Sequence, residues 1–171
     1  MILTRRRVLE AGGGILAAFL ARPAVAAPIE IVMQGKADGS HVWFDPIGLH
    51  IEPGQIVRWV NEDRGNSHTV TSYHPEIFER PRRIPAKAKP WNSDYLLPDE
   101  TFSLRFDEEG VYDYYCVPHE HAGMVGRIVV GDPPAVEAAA EAAGLTPLPA
   151  VALNGFPQIE EIVAKGIVRR G

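Results

Sequence analysis

Short segments in which apolar and polar residues alternate constrain the fold of this chain more than any other feature. Residues 101–106 alternate strictly, so Phe102, Leu104 and Phe106 share one face of a predicted strand. Four further segments of similar length also predict strands: residues 29–33, 55–61, 111–116 and 126–130. The 16 glycines and 15 prolines favour many turns between them. This spacing predicts an all-β fold, an antiparallel β-sandwich.

Residues 75–92 interrupt this series of strands. They contain four prolines, and five basic residues lie between positions 80 and 89. We therefore expect an excursion from the sandwich. The basic residues admit two interpretations, because they either steer an acidic partner or only keep a solvated loop open. They are Arg80, Arg82, Arg83, Lys87 and Lys89.

The composition changes again after residue 132. Residues 135–143 are an Ala- and Glu-rich run that favours helix. Four apolar residues further on fall at helical spacing, namely Ile159, Ile162, Val163 and Ile167. We expect residues 27–132 to form one domain and residues 133–171 a short helical or irregular extension. The extension is too short for a core of its own, so it either packs on the sandwich or stays mobile.

The first 26 residues have the order of an export signal. A twin arginine at Arg5 and Arg6 precedes an apolar stretch at residues 12–21, and small residues follow up to Ala26. The apolar stretch is about half of the roughly 20 residues that a membrane-spanning helix needs, which favours a signal peptide over a short anchor. We expect cleavage after Ala26 and twin-arginine (Tat) export to the periplasm or another extracytoplasmic compartment.

Cleavage would change the charge of the chain. Without residues 1–26 it has 13 Lys and Arg against 21 Asp and Glu, a net charge of −8. This acidity argues against nucleic acid as a partner. The one cysteine of the exported chain, Cys116, has no partner for an internal disulfide. A buried structural thiol is the ordinary interpretation of such a residue, but its neighbours favour metal binding.

Several metal-binding side chains lie close together in the sequence around this cysteine. A thiolate, an imidazole and a thioether fall within nine residues at Cys116, His119 and Met124, in a loop that leaves a predicted strand. A second imidazole, His68, follows the strand at residues 55–61. One Cys and two His in a trigonal plane, with a weak axial Met, form the blue-copper electron-transfer site.

At these residues the chain resembles the plastocyanin/pseudoazurin branch of the cupredoxins. The pattern Y-x-Y-Y-C-x-P-H-x-x-x-G-M-x-G-x-I-x-V spans residues 112–130, and P-G-x-x-V-x-W-x-N spans residues 53–61. The resemblance covers residues 29–131. It implies a Greek-key β-sandwich of cupredoxin type that holds one type 1 copper ion per chain.

The resemblance also implies the copper ligands, which are His68, Cys116, His119 and Met124. His121 is the rival to His119, because azurin-like loops place a histidine five residues after the cysteine. Those loops place the methionine nine residues after it, where this chain has Val125. The family usually has asparagine after the first histidine, whereas this chain has Thr69, whose hydroxyl can make one of the hydrogen bonds between the two ligand loops.

The function that the resemblance implies is that of an electron carrier rather than an enzyme. Its partners would be redox proteins, such as cytochromes or copper- or quinone-linked oxidoreductases, and we expect a monomer without a membrane span after cleavage. The alternative is a copper delivery or storage protein. Such proteins tend toward Met-rich or multiple-Cys sites, whereas residues 27–171 contain only Met33, a predicted core residue, and Met124. A structural zinc site at His68, Cys116 and His119 is disfavoured, because zinc does not choose methionine as a fourth ligand.

The other histidines have no neighbours that suggest ligands. We expect each of them at the surface or half-buried: His41, His50 and His74.

Overall fold

The computed structural model describes residues 27–36, 38, 41–132 and 145–170. The predicted signal peptide at residues 1–26 and the helix-prone run at residues 135–143 lie outside these described residues. The strands are β1 (Ile29–Gly35), β2 (Val42–Asp45), β3 (Gly48–Ile51), β4 (Gln55–Asn61), β5 (Thr71–Ser72), β6 (Thr101–Phe106), β7 (Gly110–Tyr115), β8 (Val125–Val130) and β9 (Ile167–Val168). The helices are a 3-10 helix (Val117–Ala122), α1 (Ala150–Leu153) and α2 (Ile159–Lys165).

These strands form two sheets, which confirms the predicted all-β sandwich. One sheet has the order β2-β1-β4-β6 and the other β5-β7-β8-β3-β9. The expectation of an antiparallel sandwich was wrong for two strand pairs, because β1 pairs with β4 and β3 pairs with β8 in parallel. After the β1–β2 pair the chain crosses to the second sheet for β3, and β4 returns on the other side of β1. Alternation along a strand does not reveal such crossovers.

The core lies between the two sheets. On β6, Phe106 is buried and its two alternate neighbours pack against the core, as the alternation predicts. On β7, Tyr112 and Tyr114 point into the same core, and Cys116 follows them at the end of the strand. Tyr115 points to the opposite face of the sheet and joins a second apolar cluster. The two-residue period of β7 therefore delivers Cys116 to the interior.

The excursion at residues 75–92 leaves the sandwich and then returns to it. Trp91 is buried in the main core, and its carbonyl accepts a hydrogen bond from the Ser72 N–H at 3.0 Å. Arg80 and Arg83 are mostly buried in ion pairs with other segments. Two of the five cations considered for partner steering are therefore structural. The three exposed cations are Arg82, Lys87 and Lys89.

The described C-terminal residues 145–170 pack on the sandwich. Ile162 of α2 is fully buried, and β9 pairs with β3 to complete the five-stranded sheet. Val163 and Ile167, however, are 39% and 47% exposed, so the predicted four-residue helix face was wrong at these positions. Ile167 lies outside the helix, because α2 ends at Lys165, Gly166 follows it with φ +73° and Ile167 belongs to a strand. Val163 lies within α2 but on its exposed side. No helix in the described part of the chain is long and apolar enough to cross a membrane.

Candidate metal centre

His68, Cys116 and His119 come together at one end of the sandwich. The Sγ of Cys116 lies 3.5 Å from the Nδ1 of His68 and 3.4 Å from the Nδ1 of His119. The three ligand atoms all lie within 4.8 Å of one another. Among the described residues, this is the one group of three or more His, Cys, Asp or Glu side chains arranged to hold a metal ion.

The β7–β8 loop brings Met124 to the same place. Cys116 is extended, the 3-10 helix follows, and Gly123 ends it with φ +77° and ψ 24°. This left-handed turn reverses the chain, because glycine adopts positive φ without steric cost. Met124 then accepts a hydrogen bond from the Cys116 N–H at 3.0 Å and donates one to the His119 carbonyl at 3.1 Å. Its side chain is fully buried.

Asp63 orients His68. The Nε2 of His68 lies 3.1 Å from the Oδ2 of Asp63, and Asp63 also accepts hydrogen bonds from the Gly65 N–H and the Asn66 side chain. When Nε2–H donates to the carboxylate, the lone pair of Nδ1 faces Cys116 and is free to bind a metal. Asp63 was not predicted from the sequence as a partner of His68. The Asp-Arg-Gly-Asn turn could have indicated an ordered carboxylate there, because aspartate often accepts a hydrogen bond from the N–H two residues on.

Thr69 ties the two ligand loops together. Its N–H donates to the Sγ of Cys116 at 3.3 Å, and its hydroxyl accepts a hydrogen bond from the Val117 N–H at 2.8 Å. The Thr69 hydroxyl is also 3.0 Å from that of Thr71, which in turn donates to Asn92. The threonine therefore makes the expected hydrogen bond between the loops, and its own hydroxyl proton goes to the Thr71 hydroxyl.

Burial sets the protonation of the donor atoms. His68 and Cys116 are fully buried, whereas His119 is half-buried. Burial raises the pKa of the Cys116 thiol to about 11, although N–H groups of Thr69 and His119 lower it. Burial also lowers the pKa of His119, and that of His68 despite the opposing hydrogen bond to Asp63. Both imidazoles are thus held neutral, the form that binds metals, and a metal would displace the thiol proton.

The remaining histidines lie outside this group. His121 is exposed on the 3-10 helix. His41 stacks on Trp43, and the ring of His50 is hydrogen-bonded to a backbone carbonyl. His74, which we expected at the surface or half-buried, is only 2% exposed. That expectation was wrong because the chain turns back at Ile77 and pairs with His74 there.

The donor set fits copper. Sulfur and nitrogen ligands bonded to one ion at about 2.0–2.3 Å lie roughly 3.5–3.8 Å apart. The two sulfur–nitrogen separations are 3.5 and 3.4 Å, so little adjustment is needed. A thiolate and two imidazoles, with a buried thioether on the adjoining backbone, are the donors of mononuclear copper electron-transfer sites.

Comparisons with known proteins agree with this chemistry. The sequence model of "Copper binding proteins, plastocyanin/azurin family" matches residues 31–131. The chloroplastic plastocyanin of Tetradesmus obliquus is 35% identical over 127 residues, which cover 73% of this chain and 81% of that protein. Pseudoazurin of Paracoccus pantotrophus is 32% identical over 115 residues, or 67% of this chain and 71% of that protein.

A solved structure supports the same fold. The crystal structure of pseudoazurin from Methylobacterium extorquens AM1 superposes with a TM-score of 0.54 at 24% identity, covering 75% of this chain and 94% of that one. The family match over residues 31–131 and the similarity to plastocyanin identify copper as the cofactor. The chain belongs to the plastocyanin/azurin family of copper-binding proteins.

Proposed function

We propose that this protein carries single electrons between redox proteins and that four side chains hold its copper as a type 1 site. The proposed ligands are His68, Cys116, His119 and Met124. The observation that carries the proposal is the grouping of three donor atoms, in which the Cys116 Sγ lies 3.5 Å from the Nδ1 of His68 and 3.4 Å from the Nδ1 of His119. Bound copper would supply one-electron chemistry by alternating between Cu(I) and Cu(II).

The hydrogen bonds around the ligands keep the donor atoms in place. Asp63 holds the ring of His68, and Thr69 joins the loop of His68 to the loop of Cys116. Donors that do not move between oxidation states keep the reorganisation that accompanies electron transfer small. The N–H of Thr69 also withdraws electron density from the thiolate, which favours the reduced state and raises the reduction potential.

His119 is the proposed route for the electron. His119 is half-buried, whereas His68 and Cys116 are fully buried. Of these three proposed ligands, His119 therefore lies nearest to solvent. Pro118 and Ala122 beside it are exposed and offer an apolar rim to a partner. A protein that docks there could receive the electron through the imidazole without contact with the sulfur.

Carrier function is favoured over enzyme and over delivery or storage by the burial of the site. Four protein donors leave no open coordination position for a substrate. Neither Cys116 nor His68 has any exposed surface through which a second protein could take the metal. A delivery protein needs such access, because metal passes between proteins by exchange of ligands.

The location and organisation of the chain are also part of the proposal. We infer that residues 1–26 are removed on twin-arginine export. On this account, residues 27–132 form the copper domain and residues 133–171 its extension, working as a monomer outside the cytoplasm. The supporting observations are the paired arginines, the short apolar stretch and the Ala-Val-Ala sequence that ends at Ala26.

Cyclic voltammetry combined with copper-release kinetics tests the carrier function. We expect one reversible one-electron wave and release of copper to a strong chelator over hours rather than seconds. The matched control is Cys116→Ser, which should lose both the wave and the slow release. Rapid transfer of Cu(I) from the wild-type protein, with an irreversible wave, would favour delivery or storage instead.

A further inference from the structure

The ligand loop contains a buried carboxylate with no part in the proposed copper ligation. Glu120 follows His119 directly and is 1% exposed. Its Oε1 accepts a hydrogen bond from the Tyr73 hydroxyl at 2.9 Å, and its Oε2 forms an ion pair with Arg80. Because a buried carboxylate is costly unless it is paired and hydrogen-bonded, these two contacts bind the loop firmly to Arg80 of the 75–92 excursion and to Tyr73, the residue after β5.

Arg80 extends this contact to a third segment. Its Nη1 donates to the Pro147 carbonyl at 3.0 Å and to the Thr146 carbonyl at 3.4 Å. The Thr146 N–H donates in return to the Glu79 carbonyl at 2.9 Å. One guanidinium therefore joins the ligand loop, the excursion and the C-terminal extension. A planar group with five donors is suited to such a junction.

Apolar contacts also join the C-terminal extension to the ligand loop and to the residues that precede the loop and the excursion. Val151 of α1 packs against Gly123, since a Cβ on Gly123 would lie 3.1 Å from the Cγ2 of Val151. Tyr73 stacks on Tyr115 with 4.3 Å between ring centroids, and Phe156 meets Tyr73 edge-on. Tyr115 directly precedes Cys116 in the sequence. The described residues of the C-terminal extension thus pack on the ligand loop, and the Arg80–Glu120 pair lies beside this contact.

We propose that Arg80 and Glu120 are positioning residues for the copper site. Their ion pair holds the 3-10 helix, and with it His119, against the C-terminal extension before the metal binds and in both oxidation states. The inference rests on the proposed function and deepens it. A loop already ordered without metal loses less conformational entropy when copper binds, and a fixed His119 keeps the site geometry constant.

The variants are chosen to separate positioning from general stability. Arg80→Met removes the junction, and the double variant Arg80→Met/Glu120→Gln removes both charges while leaving Tyr73 a hydrogen-bond partner. The double variant is needed because a single charge left buried can unfold a protein.

Arg83→Met is the matched control. Arg83 lies in the same excursion, pairs with buried Asp113 at 2.6 Å and faces the ring of Phe156 at 5.1 Å. Asp113 keeps a second partner, Arg127, at 2.6 Å, and this pair does not include the ligand loop.

Amide hydrogen exchange in the copper-free protein is the first measurement. The N–H groups of Gly123 and Met124 donate to carbonyls within the loop, so their exchange reports its order. We expect Arg80→Met and the double variant to accelerate exchange at these two amides by about tenfold relative to amides of the β7–β8 pair. Arg83→Met should leave this ratio unchanged. The readout needs no copper, so it can fail or succeed independently of the proposed function.

The second measurement is made on the copper-loaded protein. We expect the double variant to bind copper more slowly and to show a shifted thiolate charge-transfer spectrum and reduction potential, while Arg83→Met matches the wild type. A folded double variant with wild-type loop exchange, spectrum and potential would overturn the inference. Equal changes in Arg83→Met would overturn it too, because the effect would then not belong to the Arg80–Glu120 pair. A wild-type protein without a coloured copper form would overturn the proposed function alone.

Discussion

Replacing Asp63 with asparagine would remove a negative charge while keeping the shape of the turn that orients His68. Asp63 is only 6% exposed, and its carboxylate accepts hydrogen bonds from His68, Asn66 and the Gly65 N–H. Asparagine can still accept the Gly65 hydrogen bond. It cannot offer a carboxylate to the Nε2–H of His68, so the imidazole becomes less basic and its orientation less fixed.

The expected magnitude follows from the role of Asp63. Loss of a residue that orients a metal ligand typically lowers metal affinity by about 10- to 100-fold, or about 1.4–2.7 kcal/mol. We expect Asp63→Asn to weaken Cu(II) binding within this range. Cu(I) carries less charge and depends less on the nearby carboxylate, so the reduction potential should rise.

Competition titration with a chelator, at fixed pH and for both oxidation states, measures these effects. Asp94→Asn is the control, because Asp94 is exposed and its carboxylate is hydrogen-bonded to a neighbouring amide rather than to a proposed ligand. Denaturant unfolding of the copper-free variants would establish that both are folded. Unchanged Cu(II) affinity and unchanged potential in Asp63→Asn would refute the idea that this carboxylate orients His68.

Three further predictions concern the ligand loop and the excursion. His119→Ala should abolish the type 1 spectrum while His121→Ala leaves it nearly intact, because His119, unlike the exposed His121, lies 3.4 Å from the sulfur. The reverse result in absorption spectra would make the loop azurin-like. Gly123→Ala should lower the free energy of unfolding by about 1–2 kcal/mol, since its φ of +77° is unfavourable for alanine; an unchanged denaturation midpoint would contradict this. If the exposed cations of the excursion steer an acidic partner, neutralising all three should slow association at low salt without moving the reduction potential. These cations are Arg82, Lys87 and Lys89. If the association rate measured by stopped-flow electron transfer depends neither on salt nor on this variant, these cations only keep a solvated loop open.

Local features of the sequence were sufficient to predict the central strands and the grouping of His68, Cys116 and His119. The predicted bounds of β4 and β6 are those of the structure, because a turn precedes β4 and strict alternation defines β6. In contrast, β5 and β9 have two residues each and exist only because β7 and β3 offer them partners. Such strands have no period that could be recognised in the sequence.

The contacts that surround the site were harder to predict than the donor residues. Glu120 lies between two histidines in a polar stretch, and its burial depends on Arg80, which is 40 residues away in the sequence. The Thr69 hydroxyl finds Val117 at a separation of 48 residues. These pairings follow from the way the sandwich brings loops together, and no local pattern encodes them.

A redox titration of the copper-loaded protein, followed by its absorption spectrum, measures whether Cys116 binds copper as a thiolate in a type 1 site. We expect one copper per chain and an intense blue or green thiolate charge-transfer band. This band should disappear on one-electron reduction, return fully on reoxidation and be absent from Cys116→Ser. A colourless Cu(II) form, or tight Cu(II) binding that is unaffected by Cys116→Ser, would show that the protein has no type 1 copper site.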